Sequence, residues 1–133
     1  MDVKEFLNKD RFAAYIGIEL LEVSKGKAKA KIDIRKEHLN ALNIVQGGVI
    51  FTLADLTLAA AANSYDNLAI TLSANISFYK ASGIGTLYAE AFEISKNNKI
   101  ASYTINITNE NNDLISSAQG LVYFKNSLQD RNL

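Results

Sequence analysis

The chain has no cysteine, no proline and a single histidine, His38, in 133 residues. Without cysteine there are no disulfides, thiolate metal ligands or cysteine nucleophile, and one imidazole cannot build a multi-histidine metal site. An excess of one charge is also missing. With 14 Lys+Arg against 14 Asp+Glu, no long-range field draws a nucleic-acid backbone or an anionic membrane. The longest apolar stretch, Gly47 to Ala62, falls short of the roughly 20 residues of a membrane span, and a central Asp55 would cost about 2.5–3.5 kcal/mol there. The opening segment MDVKEFLNKDRFAAY mixes acids with bases and lacks a signal-peptide apolar core. A single cytoplasmic domain over residues 1–133, with neither nucleic acid nor membrane as partner, is the expectation.

With no proline, turns must come from Gly, Asn, Asp, Ser and Lys clusters. Asp2 to Tyr15 reads as one short amphipathic helix ending near Gly17. Ile18–Val23 and Ala28–Arg35 flank the turn SKGK, the second alternating apolar with charged residues as a half-buried strand does. A polar loop over Glu37–Asn43 leads to a long apolar helix, opened by Gly47-Gly48 and closed near Asn63-Ser64. Strands follow at residues 70–79, 86–95, 101–108 and 114–124. In the first of these Ile70, Leu72, Ala74, Ile76 and Phe78 share one face and Thr71, Ser73, Asn75, Ser77 and Tyr79 the other. Short turns predict a four-strand antiparallel meander; the tail SLQDRNL reads as loose. A helix apolar on nearly every side needs cover on nearly every side, so the fold class is α+β, a curved antiparallel sheet wrapped around a long central helix.

That helix carries the candidate site. Two glycines at its start let a ligand approach backbone amides that lack intrahelical partners and favour negative charge; the same pair also suits a tight loop-to-helix junction. Asp55, eight residues on from Gly47, is a carboxylate in an otherwise apolar run, kept either by structural hydrogen bonds or because water, a partner or substrate meets it. In the latter case it suits a general base or nucleophile. Eight residues of helix rise about 12 Å, so the Gly47 end and Asp55 of one chain cannot grip one small carbonyl group. Two copies related by a two-fold axis, helices antiparallel, close that gap, which predicts a homodimer.

The pattern N-x6-G-G-x6-D (Asn40, Gly47, Gly48, Asp55), followed by T-x4-I-x-F (Thr71, Ile76, Phe78), resembles the hotdog-fold acyl-CoA thioesterases of the phenylacetate-pathway, PaaI-like group. The similarity runs over about residues 12–124. It implies a hotdog domain, edge-to-edge dimers, tetramers in many members, and hydrolysis of an acyl-CoA thioester, with coenzyme A as part of the substrate and no other cofactor. It further implies that the Gly47 amide polarises the carbonyl, that Asp55 activates water or attacks, that Asn40 holds substrate or water, and that Ser73 positions water, although Ser73 alone reads as one of several polar residues on a solvent face. Gly48, Thr71 and Lys80 complete the candidate substrate contacts, with Lys80, Lys96 and Lys99 as phosphate-binding candidates. Leu56, Leu58, Phe78 and Tyr79 would bound an acyl pocket.

One departure stands out. Most of the group read H-G-G where this chain has Gln46, whose amide NH2 can donate a similar hydrogen bond without titrating. His38 reads as an exposed loop residue. A hotdog dehydratase would need a histidine paired with an acid, and His38 is the single candidate. A non-catalytic acyl-CoA or acyl-carrier-protein binding module with a degenerate site is the alternative from another class.

Overall fold

A computed structural model describes residues 2–125; the expected loose tail lies outside the described residues. The N-terminal segment forms two helices, α1 (Val3–Leu7) and α2 (Arg11–Ile16), where one was expected. The break follows from Asn8-Lys9-Asp10. Asn8 ends α1, and the Asp10 carboxylate accepts the Ala13 N–H at 3.0 Å, starting a new helix. Gly17, at φ 95°, closes α2 as a left-handed cap.

Strands β1 (Ile18–Ser24) and β2 (Lys27–Ile34) form the predicted hairpin, with Ala28, Ala30, Ile32 and Ile34 buried and the lysines between them outward. Then come α3 (Gly47–Ala62), β3 (Ala69–Phe78), β4 (Gly85–Lys96), β5 (Ile100–Thr108) and β6 (Leu114–Phe124). All six strands pair antiparallel in one sheet of order β1-β2-β4-β5-β6-β3. Strands β4, β5 and β6 make the expected meander, but β3 does not join its start. A strand has two edges; those of β4 are taken by β2 and β5, so β3 pairs with the free side of β6. This leaves β3 at the sheet's edge with its other side unpaired among the described residues.

A bulge at Leu72 also revises the expected faces of β3. Thr71 sits opposite buried Val122, whereas Ser73 sits opposite Leu121 on the far face. The two fall on opposite faces because the extra residue shifts the side-chain alternation by one.

Helix α3 lies against the concave face, packing mainly on β2 and β4. Leu53 and Leu58 join Ile32, Leu87, Ile105 and Ile107 in one core, each fully buried side chain contributing about 1.5–3 kcal/mol. Leu56, Leu58 and Ala60–Ala62 are core residues rather than pocket walls. Gly120 permits a close crossing of α3 over β6, since a Cβ there would lie 2.5 Å from Leu58 Cδ2. The cover is not complete: Gly48, Phe51 and Asp55 recur at helical spacing along one exposed stripe of α3.

Candidate functional site

The loop before α3 is braced before it becomes helical. Asn40 Oδ1 accepts the N–H of Leu42 at 2.9 Å and of Ile44 at 3.4 Å, while Asn40 N–H donates to Ile44 O at 2.8 Å. Gln46 N–H donates to His38 O at 2.9 Å, and Val45 N–H to Ser82 O at 2.8 Å. His38 is buried, not the exposed loop residue expected. Its Nδ1 accepts the Arg35 N–H at 2.8 Å, so Nε2 carries the proton and donates to Ile16 O at 2.7 Å. The imidazole therefore ties the end of α2 to the loop that presents Gln46, a role with no local sequence signal. Both its ring nitrogens are spent on backbone, far from the duty a dehydratase histidine would need.

Gln46 is the N-cap of α3. Its backbone is extended, and its side-chain oxygen turns back to accept the Gly48 N–H. With the carbonyl oxygen facing that donor, the Nε2 amide has no acceptor among the described residues. Val49 and Ile50 N–H groups donate to Gln46 O. Of the first four helix amides, Gly47 N–H alone has no acceptor among the described residues. The first turn thus offers one unpaired backbone donor at the positive end of a 16-residue helix.

That amide opens on a cleft of about 270 Å³ lined by Asn40, Gly47, Ile50, Phe78, Tyr79 and Lys80, with Ile44, Val45, Ala81 and Ser82 completing it. Gly47 packs closely under Phe78: a Cβ would lie 3.3 Å from Phe78 Cζ, and the ring would have to give by a few tenths of an ångström. Asn40 enters with its oxygen used in its own loop, and its Nδ2 protons meet no acceptor among the described residues. Lys80 reaches the cleft, but its ammonium pairs with Asp113 at 2.8 Å. The other two lysines are elsewhere; Lys96 Nζ lies 4.7 Å from the Tyr65 ring centroid, beyond the opposite end of α3.

Asp55 is on the exposed stripe, two turns further along, and does not line this cleft. Among the described residues its carboxylate accepts no hydrogen bond and meets no cation. Although it reaches the surface of the single chain, the protein bulk around it raises its carboxyl pKa above the ordinary range, with repulsion from Asp10 second. Ser73 is not brought to either: it borders a depression on the outer sheet face with Asn75, Ser102 and Gln119. Thr71 faces inward but lies outside the cleft. Among the described residues no group of three or more His, Cys, Asp or Glu is placed to hold a metal ion, and no helix is long and apolar enough to cross a membrane.

Comparison with known proteins agrees with this architecture. The model of the thioesterase superfamily matches residues 42–116. An Archaeoglobus fulgidus protein named only as a candidate esterase is 42% identical over 123 residues, covering 91% of this chain and 80% of its own. The acyl-coenzyme A thioesterase PaaI of Escherichia coli is 28% identical over 112 residues, covering 84% of this chain and 80% of its own. The solved structure of the E. coli PaaI protein from the phenylacetic acid degradation operon superimposes with a TM-score of 0.89 at 25% identity, over 92% of this chain and 90% of that one. A chain with this hotdog sheet-and-helix architecture, matched by the family over more than half its length, belongs to the thioesterase superfamily, among its PaaI-like thioester hydrolases.

Proposed function

We propose that the protein hydrolyses acyl-CoA thioesters at sites shared between two copies of the chain, the Gly47 amide of one facing Asp55 of the other. The observation that carries this reading is the unpaired Gly47 N–H at the head of α3, in a cleft, with an unpartnered carboxylate about 12 Å further along the same helix. One chain separates the two groups. A two-fold axis perpendicular to the helices sets them antiparallel and brings each group to its counterpart on the other chain. Two features support such pairing: the unpaired ten-residue edge of β3, and apolar side chains left in water along it and along α3. Leu72 is 56% exposed, Phe78 53% and Phe51 37%, an arrangement that marks an interface.

The thioester carbonyl oxygen lies against Gly47 N–H, with Gln46 Nε2 as a second donor, where the helix dipole and the fixed donors stabilise negative charge as it develops. The partner's Asp55 takes a proton from water as the water oxygen bonds to the carbonyl carbon. Collapse of the tetrahedral intermediate breaks the C–S bond, and the thiolate that forms takes up the proton that Asp55 held, so the coenzyme leaves as its thiol and Asp55 is again a carboxylate. A thiolate leaves readily, so no serine triad is required. Asn40 Nδ2 orients substrate or water, and the cytoplasm is the setting in which acyl-CoA is met.

Purified protein is mixed with phenylacyl-, aroyl-, short- and long-chain acyl-CoAs and a thiol reagent. Thiol release that collapses in Asp55→Asn supports hydrolysis, whereas binding without release identifies a binding module. Shared sites are tested by mixing two inactive variants, Gln46→Glu and Asp55→Asn. Random exchange restores about a quarter of wild-type activity if each site uses both chains, because half the dimers are mixed and each of these holds one intact site. No recovery places both groups in one chain and overturns the shared site.

A further inference from the structure

Lys80 is the single charged side chain lining the Gly47 cleft, and its ammonium is already engaged. Nζ lies 2.8 Å from Asp113 Oδ2, with the two side chains 55% and 42% exposed. The two partners differ in how they are held. Asp113 N–H donates to Asn109 Oδ1 at 3.0 Å and Asn109 Nδ2 donates to Asp113 Oδ2 at 3.3 Å, in a turn where Asn112 adopts φ 64°. Glu110 of the same turn accepts the Thr86 N–H at 2.8 Å, so the turn is pinned to the start of β4 as well. The carboxylate is fixed, while the lysine ammonium rides on a flexible four-carbon stem. A pair this exposed is weak and gives up its partner readily.

We propose that Asp113 is a counter-ion that sets how strongly the enzyme prefers thioesters whose thiol carrier bears phosphate. Lys80 rests on Asp113 beside the cleft. When a phosphate arrives, the ammonium exchanges one anion for another, and the gain is the difference between the two rather than the full attraction. Asp113 touches no substrate; it acts through Lys80 as a positioning residue. The inference rests on the thioesterase reading, and the phosphate is that of a phosphopantetheine arm or of the nucleotide of coenzyme A.

One acyl group is presented on pantetheine, 4′-phosphopantetheine and coenzyme A, and the readout is kcat/KM on each phosphate-bearing carrier divided by that on pantetheine. Asp113→Asn and Asp113→Ser both raise this ratio about two- to five-fold, through KM, the range set by exposed ion pairs. Lys80→Met lowers it. In the double variant Lys80→Met/Asp113→Asn the ratio stays at the Lys80→Met value, because the two residues act as one unit. A gain already present on 4′-phosphopantetheine assigns the phosphate of the arm; a gain confined to coenzyme A assigns the nucleotide phosphates. A merely structural role for Asp113 moves melting temperature and all three substrates together. An unmoved ratio in both Asp113 variants, or an Asp113 effect that persists without Lys80, overturns the proposal. Failure of every thioester to turn over in the wild type instead strikes the underlying reading.

Discussion

Truncating Gln46 to alanine removes two things at once, and they separate by magnitude. The side-chain oxygen caps the Gly48 N–H; loss of an N-cap costs about 0.5–2 kcal/mol, or roughly 2–7 °C in melting temperature for a chain of this size. The Nε2 amide is the proposed second donor to the thioester oxygen, and loss of an oxyanion donor costs about 100- to 1000-fold in rate. Gln46→Ser retains a hydroxyl acceptor for a first-turn amide but cannot reach a carbonyl oxygen, so it should recover most of the melting temperature and little of the rate. Gln46→Glu keeps the shape and adds a charge that the helix N-terminus favours, yet sets an anion where negative charge develops; its stability should hold while its rate falls furthest. Thermal melts followed by circular dichroism, alongside kcat/KM from thiol release, read both quantities. A Gln46→Ala protein that melts lower but loses no more than about threefold in kcat/KM, against the 100-fold expected of a donor, would show that Gln46 is a cap and nothing else.

The pH behaviour of Asp55 follows from its raised pKa, caused first by burial and then by Asp10. The native state holds that proton more tightly than the unfolded chain, so the ionised carboxylate costs stability above the raised value, and the cost disappears below the ordinary 3.8. Asp55→Asn should therefore melt higher than wild type near neutrality, with the difference fading in acid, while kcat/KM falls about 100- to 10,000-fold. Wild-type kcat/KM should rise with pH through an inflection above the usual carboxylate range; an inflection within that range contradicts the shift. Gly120→Ala would bring a Cβ to 2.5 Å from Leu58 Cδ2, costing about 1–3 kcal/mol, and Leu58→Val in the same background should return part of it; equal melting of the wild type and Gly120→Ala refutes the close crossing. His38→Ala leaves the Arg35 N–H without its acceptor and takes from the Ile16 carbonyl its shorter donor, the Arg35 guanidinium at 3.4 Å remaining; a buried group left unpaired costs about 1–3 kcal/mol. It should lower the melting temperature well beyond the activity lost by the protein that remains folded, and an unchanged melt would refute the brace.

Periodicity was informative where one element meets one environment. Alternation marked β2 because its lysines face water and its alanines and isoleucines face the core, and the apolar run marked α3 because the sheet covers most of it. Short-range chemistry was weaker where two local options compete. Asn8 and Asp10 carry no apolar signature, yet their caps split one expected helix into α1 and α2. The bulge at Leu72 is invisible in composition, and it alone decides that Thr71 turns inward while Ser73 keeps the outer face expected of it. His38 looked like a loop residue because burial of its ring depends on two backbone partners, of which Ile16 O is 22 residues away in sequence.

From sequence alone came the long apolar helix headed by Gly47-Gly48, the lone acid at Asp55 and the chemistry excluded by missing cysteines and histidines, since these depend on residue type and spacing along one rigid rod. Only the tertiary structure decided that β3 ends at an open edge beside β6, that the Gln46 oxygen is spent on Gly48 while the Gly47 amide stays free, and that Lys80 is held by Asp113. Those outcomes turn on which donor finds which acceptor across the fold. A strand edge, an amide or an ammonium can be paired in several ways by its neighbours in sequence, and the choice is made by whatever packing brings within about 3 Å.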